Sequence, residues 1–497
     1  MVCLNHIGMV SRIHLDPEAD TPLYRQLFEQ IKGLIDSGEL ATGERLPPTR
    51  ELAGLLGLNR TTVSAAYELL EAESLVQGQV GRGSFVSGRP ADLAGLPWAE
   101  LLGSGAAAPP AAGIEATISF TTSRPAESLF PMEEFERTFQ EVMRSGGAPS
   151  ILQLGSPGGY PPLRRYLLEE ARAEGTARPA DEVVITSGCQ QALDLLQRLS
   201  VRPGDAVFVE EPVYPGVKTL LERSGARLVG LPLGPEGLLV DAFERAVARQ
   251  RPRLLIVTPN FQNPTGVTLG LDARRAILRL ARQAGAIVVE NDIYGGLRYH
   301  GDPLPTLKEL DETGDVILLR SFSKIAFPGL RVGWVTAPGP VAERLAEAKQ
   351  WADLHTDQLS QALLLRFAES GRLEAHHQRV IAAGRERLQA VLEACQRHLP
   401  REASFTRPEG GMNLWIRLPE PLDAGELLPR AQREDVTYLP GKFFAVSRAE
   451  PGSLRLSFAG LEPVLIRKGV EILGAIFSAE LERVRQARRS DPAPAMV

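Results

Sequence analysis

Five short apolar runs between residues 182 and 319 alternate with stretches of helical periodicity. That alternation limits the fold more than any other feature. The runs are Glu182–Thr186, Ala206–Val209, Leu254–Thr258, Ala286–Glu290 and Val316–Leu319. Each is rich in Val, Ile and Leu without a polar face, as in strands buried on both sides. Helical patterns at 190–199, 271–283 and 341–354 fall between or after them. The combination predicts an α/β domain with a mostly parallel sheet, whose functional groups lie at the carboxyl ends of the strands.

The segments that follow these runs carry the chemistry. Ser187-Gly188-Cys189 opens a helix, so its backbone N–H groups are suited to a phosphate. Glu211-Pro-Val-Tyr214 offers a flat ring surface. In Asn260-Phe-Gln-Asn263-Pro264, the residue before proline is held extended and can aim its amide at a ring hydroxyl. Glu290-Asn291-Asp292-Ile-Tyr294 supplies an acid and a phenol. After the fifth run, Ser321-Phe-Ser323-Lys324 is followed seven residues on by Arg331. A lysine amine forms a Schiff base with an aldehyde, while hydroxyls and a guanidinium hold a phosphate dianion. An aldehyde and a phosphate on one small molecule describe pyridoxal 5'-phosphate.

The first ninety residues read differently. Apolar residues at Leu23, Leu27, Ile31, Leu34 and Ile35 have helical spacing. A second helix is expected from the Leu46-Pro-Pro-Thr49 segment, with Thr49 as its cap. After a turn at Gly57, a third helix places Val63, Ala66, Tyr67 and Leu70 on one face and Arg60, Thr61 and Ser64 on the other. Two short helices joined by a tight glycine turn have the helix-turn-helix layout. Leu75–Val86 reads as a hairpin tipped by Gly81-Arg82-Gly83. Residues 1–90 hold eight Lys and Arg against eleven Asp and Glu, a net of −3, so bulk charge does not drive DNA binding here. Arg50, Arg60 and Arg82 instead fall where a winged helix meets DNA.

At 497 residues, two or three domains are expected. The formal charge of −6 gives no general basic field. Cys3, Cys189 and Cys395 have neither metal-ligand spacing nor a disulfide framework, which suits a reducing, cytoplasmic setting. No run is long and apolar enough to span a bilayer, and the start lacks the pattern of a secretory signal. Residues 89–115, rich in Ala, Gly and Pro, read as a linker between a DNA-binding domain at 15–88 and a large domain at 116–482. Residues 483–497 read as a disordered tail.

Gly43-Glu-Arg-Leu-Pro-Pro-Thr-Arg50, Leu58-Asn-Arg-Thr-Thr-Val63 and Gly81-Arg-Gly-Ser-Phe-Val86 resemble the GntR-type winged helix. This resemblance implies operator binding to double-stranded DNA, with Arg50, Arg60, Thr61 and Thr62 near the major groove and Arg82 and Gly83 in the wing. Residues 116–480 look like a fold-type I aminotransferase, and the whole resembles the MocR subfamily of GntR-type regulators. That likeness implies Lys324 as the Schiff-base lysine, with Ser187, Gly188, Cys189, Ser321, Ser323 and Arg331 around the phosphate. It implies Tyr214 on the ring, Asn263 and Tyr294 on the ring oxygen, and Arg455 on a ligand carboxylate. It also implies a homodimer that senses the cofactor itself or an amine or amino acid. The alternative is an active amino-acid aminotransferase with an auxiliary DNA-binding domain.

Two positions depart from the family pattern. The aspartate that pairs with the pyridine nitrogen usually lies three residues before the tyrosine, where this chain has Asn291; its acid, Asp292, lies two before. Neighbouring strand residues face opposite ways, so at most one of the two faces the ring. In place of a tyrosine that reaches the partner subunit in many relatives, this chain has Leu154.

Overall fold

The computed structural model describes residues 9–10, 12–17, 19, 21–79, 83–87 and 116–490. The chain divides into two compact units near residue 106. The expected linker at 89–115 lies outside the described residues.

The small unit contains α1 (Leu23–Asp36), α2 (Thr49–Leu56), α3 (Arg60–Ala72) and the antiparallel ribbon of β1 (Val76–Gln79) and β2 (Gly83–Val86). Leu27, Phe28 and Ile31 of α1 pack against Val63, Ala66, Tyr67 and Leu70 of α3 in one apolar cluster. The Tyr67 hydroxyl donates to the Pro47 carbonyl at 2.8 Å, tying α3 to the entry of α2. Gly57, at φ 66°, closes α2 in the left-handed region. Asn59 caps α3 by accepting from the Thr61 N–H. Thr49 differs from its expected role. Pro48 occupies the cap position and Thr49 is already helical, with no side-chain cap. The extended backbone of proline starts the helix there without one.

The large unit is built on an eight-stranded sheet. Its strands are β3 (Asp181–Thr186), β4 (Ala206–Glu211), β5 (Arg227–Gly234), β6 (Gly237–Leu238), β7 (Leu254–Val257), β8 (Ile287–Asn291), β9 (Val316–Ser321) and β10 (Gly333–Pro338). Their spatial order is β3-β10-β9-β8-β7-β4-β5-β6. Strands β9, β8, β7, β4 and β5 are mutually parallel. β10 runs antiparallel to both of its neighbours. All five strands expected from the sequence are present; β5, β6 and β10 are additions. The main helices over this sheet are α4 (Cys189–Ser200), α5 (Pro215–Arg223), α6 (Leu271–Ala284) and α7 (Gly339–Asp353).

The strand alternation divides the core. Val289 of β8 joins Leu193 and Leu196 of α4 and Leu345 of α7 on one side. Val288 joins Ile277 and Leu280 of α6 on the other. A second lobe is built around α8 (Arg372–His398) and α9 (Pro463–Ser490), with a four-stranded antiparallel sheet. That sheet contains β11 (Ser404–Phe405), β12 (Asn413–Arg417), β13 (Leu439–Pro440) and β14 (Ser453–Ser457). α9 continues through residue 490, so residues 483–490 are helical where a tail was expected. Arg483 pairs with Glu480, and Arg485 reaches Glu402, which anchors this last stretch. Residues 491–497 lie outside the described ones.

Among the described residues, one ion pair is fully internal. Lys308 Nζ sits 3.0 Å from Asp181 Oδ2, with the two side chains 0% and 2% exposed. Lys308 Nζ also donates to the Val316 carbonyl at 2.9 Å. Removing one member of such a pair strands the other charge, whereas replacing both with apolar groups does not. Asp181→Ala is therefore expected to cost about 3–5 kcal/mol, read as a lower denaturant midpoint. Asp181→Leu combined with Lys308→Met should recover most of that loss.

Candidate cofactor pocket and nucleic-acid face

β9 ends at Ser321, and one 3₁₀ turn, Phe322–Lys324, reverses the chain. Ser321 caps this turn by accepting from the Ser323 N–H at 3.0 Å, and its hydroxyl lies 2.9 Å from Ser323 Oγ. The turn directs Lys324 inward. Its Nζ donates to the Ser123 carbonyl at 2.5 Å and lies 5.6 Å from the centre of the Tyr294 ring. Burial, joined by the nearby positive charges of Arg455 and Arg331, pushes the amine down to about 8. Among the described residues no carboxylate pairs with it. About a tenth of Lys324 is thus neutral, and nucleophilic, at pH 7, several hundred times the share of an ordinary lysine.

Arg455, on β14, is the second buried cation and is only 4% exposed. Its Nη1 donates to Asn263 Oδ1 at 2.9 Å, its Nη2 donates to the Thr121 carbonyl, and its Nε has no partner. Burial pushes its guanidinium down to about 10. Asn263 in turn donates to the Tyr294 hydroxyl at 3.2 Å, so Arg455, Asn263 and Tyr294 form one chain of contacts. A buried guanidinium with a spare donor and no carboxylate partner is suited to an anionic ligand.

At the start of α4, the backbone forms a recess. Gly188 has φ 77°, and a Cβ there would lie 2.3 Å from Arg331 Nη2. Only glycine allows the guanidinium this close to the helix entry. Arg331 itself has φ 55°, and its Nη2 donates to the Ser187 carbonyl at 3.3 Å. The Ser187 hydroxyl lies 3.4 Å from Thr356 Oγ1. Cys189 turns toward the sheet, with its Sγ 3.2 Å from the Arg320 carbonyl, and burial lifts its thiol to about 12. It contributes its backbone N–H to the helix entry but no thiolate. Tyr214, 41% exposed, caps α5, and its phenol is raised by burial against the opposing charges of Arg455 and Arg331.

Asn291 and Asp292 have different surroundings. Asp292 accepts from Asn260 Nδ2 at 2.8 Å and from Arg320 Nε at 3.1 Å. Arg274 donates to Asn260 Oδ1 at 2.7 Å, completing a buried network. Asn291 is 6% exposed, and its Oδ1 has no partner. Leu154, the other departure, is 72% exposed.

Sequence reasoning missed several polar residues in this pocket. Ser123 Oγ donates to Asn413 Oδ1 at 2.5 Å, and Ser457 Oγ lies 3.4 Å from Ser123 Oγ. Thr121 and Ser123 come from a segment far from the motif loops. Their Thr-Thr-Ser composition carries no strong local signal.

In the small unit, Arg60 and Thr61 occupy the exposed first turn of α3, Thr62 is half-buried, and Arg50 is exposed in α2. Gly83 begins β2 at φ 107°, and Arg82 lies outside the described residues. Arg45 was not foreseen. It bridges to Phe85 of the ribbon, and a Cβ on Gly83 would lie 3.0 Å from its Nε. Its signal was a basic residue in Gly43-Glu-Arg-Leu, a segment that pairs with the wing.

Residues 23–86 match the family of bacterial regulatory proteins of the gntR type, and residues 127–473 match aminotransferase class I and II. Over 477 residues the chain is 31% identical to a probable rhizopine catabolism regulatory protein, MocR, of Rhizobium meliloti, covering 94% of this chain and 96% of that protein. The chain belongs to the MocR subfamily of GntR-type regulators. It is also 40% identical to a 2-aminoadipate transaminase of Thermus thermophilus, over 76% of this chain and 97% of that enzyme. Among solved structures, a kynurenine aminotransferase of Pyrococcus horikoshii aligns at a TM-score of 0.72 and 34% identity, covering 74% of this chain and 92% of that one. An α-aminoadipate aminotransferase of Thermus thermophilus, complexed with a phosphopyridoxyl-leucine adduct, aligns at 0.69 and 39% identity, covering 73% and 93%.

The cofactor of this family fold is pyridoxal phosphate. The pocket fits it on independent grounds: an amine of depressed basicity, a glycine recess beside a guanidinium, and two buried polar atoms without partners. The shifted lysine yields a measurable consequence. Uptake of pyridoxal phosphate by the apo-protein, followed by stopped-flow absorbance, should accelerate roughly tenfold from pH 7 to pH 9 and then level off. A lysine of ordinary basicity would climb about a hundredfold over that window without levelling.

Proposed function

We propose that this chain is a transcription regulator that binds operator DNA and reads an amine-bearing small molecule, or pyridoxal phosphate itself, in the pocket around Lys324. The observation that carries this reading is one chain holding two things. It has an exposed helix-turn-helix face, and a pocket with two buried cations that have no carboxylate partner. In this reading residues 15–88 bind DNA, 89–115 connect, and 116–482 hold the cofactor. The regulator works as a cytoplasmic homodimer.

When bound, pyridoxal phosphate supplies an electrophilic carbonyl that exchanges between the protein's amine and a free one. Lys324, about half neutral at pH 8, is the protein's amine in that exchange. Ser321, Ser323, Arg331 and the N–H groups opening α4 hold the phosphate dianion. Asn263 and Tyr294 hold the ring oxygen, and Tyr214 covers the ring. Arg455 pairs with a ligand carboxylate and thereby relieves its uncompensated burial. A ligand that favours one arrangement of the large unit shifts DNA affinity only by its differential affinity for the two states.

A second reading, an amino-acid aminotransferase, draws on the 40% identity to a transaminase. The deciding experiment uses the purified full chain and the DNA upstream of its own gene. Binding would be measured for the apo-protein, the cofactor-loaded protein and Lys324→Ala, with the visible spectrum of each. Specific binding that changes with cofactor, and loses that response in Lys324→Ala, is the expected result. A bound chromophore that turns over amino acids without any specific DNA binding would replace this reading with the enzyme. In the same assay, Arg45→Ala should weaken binding to all duplexes and reduce the log–log salt slope by about 0.9, with the melting temperature unchanged.

A further inference from the structure

β8 enters the site with alternating sides. Ile287 and Val289 pack with α4 and α7, whereas Val288 packs with α6. Asn291 shares the parity of Val289, so it emerges on the α4 side, the side where the Ser187-Gly188 recess opens. It pairs in register with Leu319, and Ser321 follows two residues later on the same side of β9. Glu290 has the opposite parity and accepts from the Leu307 and Lys308 N–H groups, both at 2.8 Å. Asp292, just beyond the strand, resumes that opposite side. Its two carboxylate oxygens are taken by Asn260 and Arg320. The carboxylate is consumed in a structural network, and the amide is left over.

Pyridoxal phosphate has four polar groups. The phosphate, the carbonyl and the ring oxygen have candidate partners in the Ser321/Arg331 recess, Lys324 and the Asn263/Tyr294 pair. The ring nitrogen remains. On the protein side, Asn291 Oδ1 is a buried polar atom on the α4 face without a partner. We propose that Asn291, and not Asp292, meets the ring nitrogen, and that this chain holds its cofactor with that nitrogen unprotonated at neutral pH. This rests on the cofactor reading given above.

The physical reason is charge. An adjacent carboxylate favours a protonated pyridine by direct attraction, whereas a neutral amide offers no such stabilisation. Rotating the amide presents its N–H₂ to an unprotonated nitrogen, so the same side chain satisfies the neutral ring. A neutral ring withdraws electrons weakly, so the pocket binds an amine without efficiently carrying its bond-breaking chemistry onward. The departure at this position favours a sensor over a catalyst.

The test loads the full chain with ¹⁵N-ring-labelled pyridoxal phosphate and follows the ring nitrogen by NMR against pH. Wild type should show the unprotonated nitrogen at pH 7. Asn291→Asp should raise the nitrogen's pKa by about 1–3 units, and Asp292→Asn should leave it where wild type has it. A wild-type nitrogen that is protonated at pH 7, or one that responds to Asp292→Asn and not to Asn291→Asp, overturns the proposal. Failure of the wild type to take up the label at all would instead strike the cofactor reading itself.

Discussion

A parallel sheet covered on both faces cannot leave backbone groups exposed along its length, so its connections must cross over and return to the same edge. Everything else in the large unit follows from that constraint. Strands β9, β8, β7 and β4 all point their carboxyl ends one way, and each delivers a polar loop to the same place. The antiparallel β10 does not break the pattern, because it carries the chain back from the Lys324 turn and brings Gly333 against Gly188. Segments from residues 187 to 331 become neighbours through hydrogen-bonded registry, not through sequence proximity.

The electrostatics of the pocket follow from the same alternation. Acidic side chains of β8 and its extension, Glu290 and Asp292, fall on the α6 side, where backbone N–H groups, Asn260 and Arg320 occupy them. Around the pocket stand Lys324, Arg331, Asn263 and Asn291, and the carboxylate at the α4 entry, Asp353, is taken by Lys349 and Gln191. Lys324 and Arg455 are therefore buried without counter-charges, and both are less basic than their free forms. Such an arrangement is costly for the isolated fold and pays off only when an anion arrives. On the proposed reading, a phosphate enters the recess and a carboxylate meets Arg455.

How much of this was legible in the sequence depended on whether the signal was local. Strands buried on both faces leave continuous apolar runs, and all five such runs are strands. β5 escaped because its eight residues are mostly half-buried and interrupted by glycine and proline. β10 escaped because Gly333–Pro338 directly continues the lysine loop, and its pairing with β3 joins segments about 150 residues apart. The helical end of α9 was hidden by its charges, of which Arg483 and Arg485 find partners only in the fold. The question at Asn291 and Asp292 was framed correctly by strand alternation. Which side faced the pocket required knowing which helices packed where. Ser123 and Thr121 had no motif, and only their contacts with Lys324 and Arg455 give them meaning.

The two units also complement each other energetically. The small unit lacks the basic surplus that makes DNA binding strong and indifferent to sequence, since residues 1–90 carry a net −3. On the proposed reading its affinity comes from a few positioned groups such as Arg45, Arg50 and Arg60, so it stays modest for any single copy. Coupling between distant sites in one protein is typically about 1–3 kcal/mol, a factor of about 5–150. Against a large nonspecific electrostatic term, a change of that size would leave DNA occupied in either state. Against a modest affinity set by a few contacts, it moves occupancy across its midpoint. In the proposed regulator, the acidic balance of the small unit is thus a condition for control by the pocket.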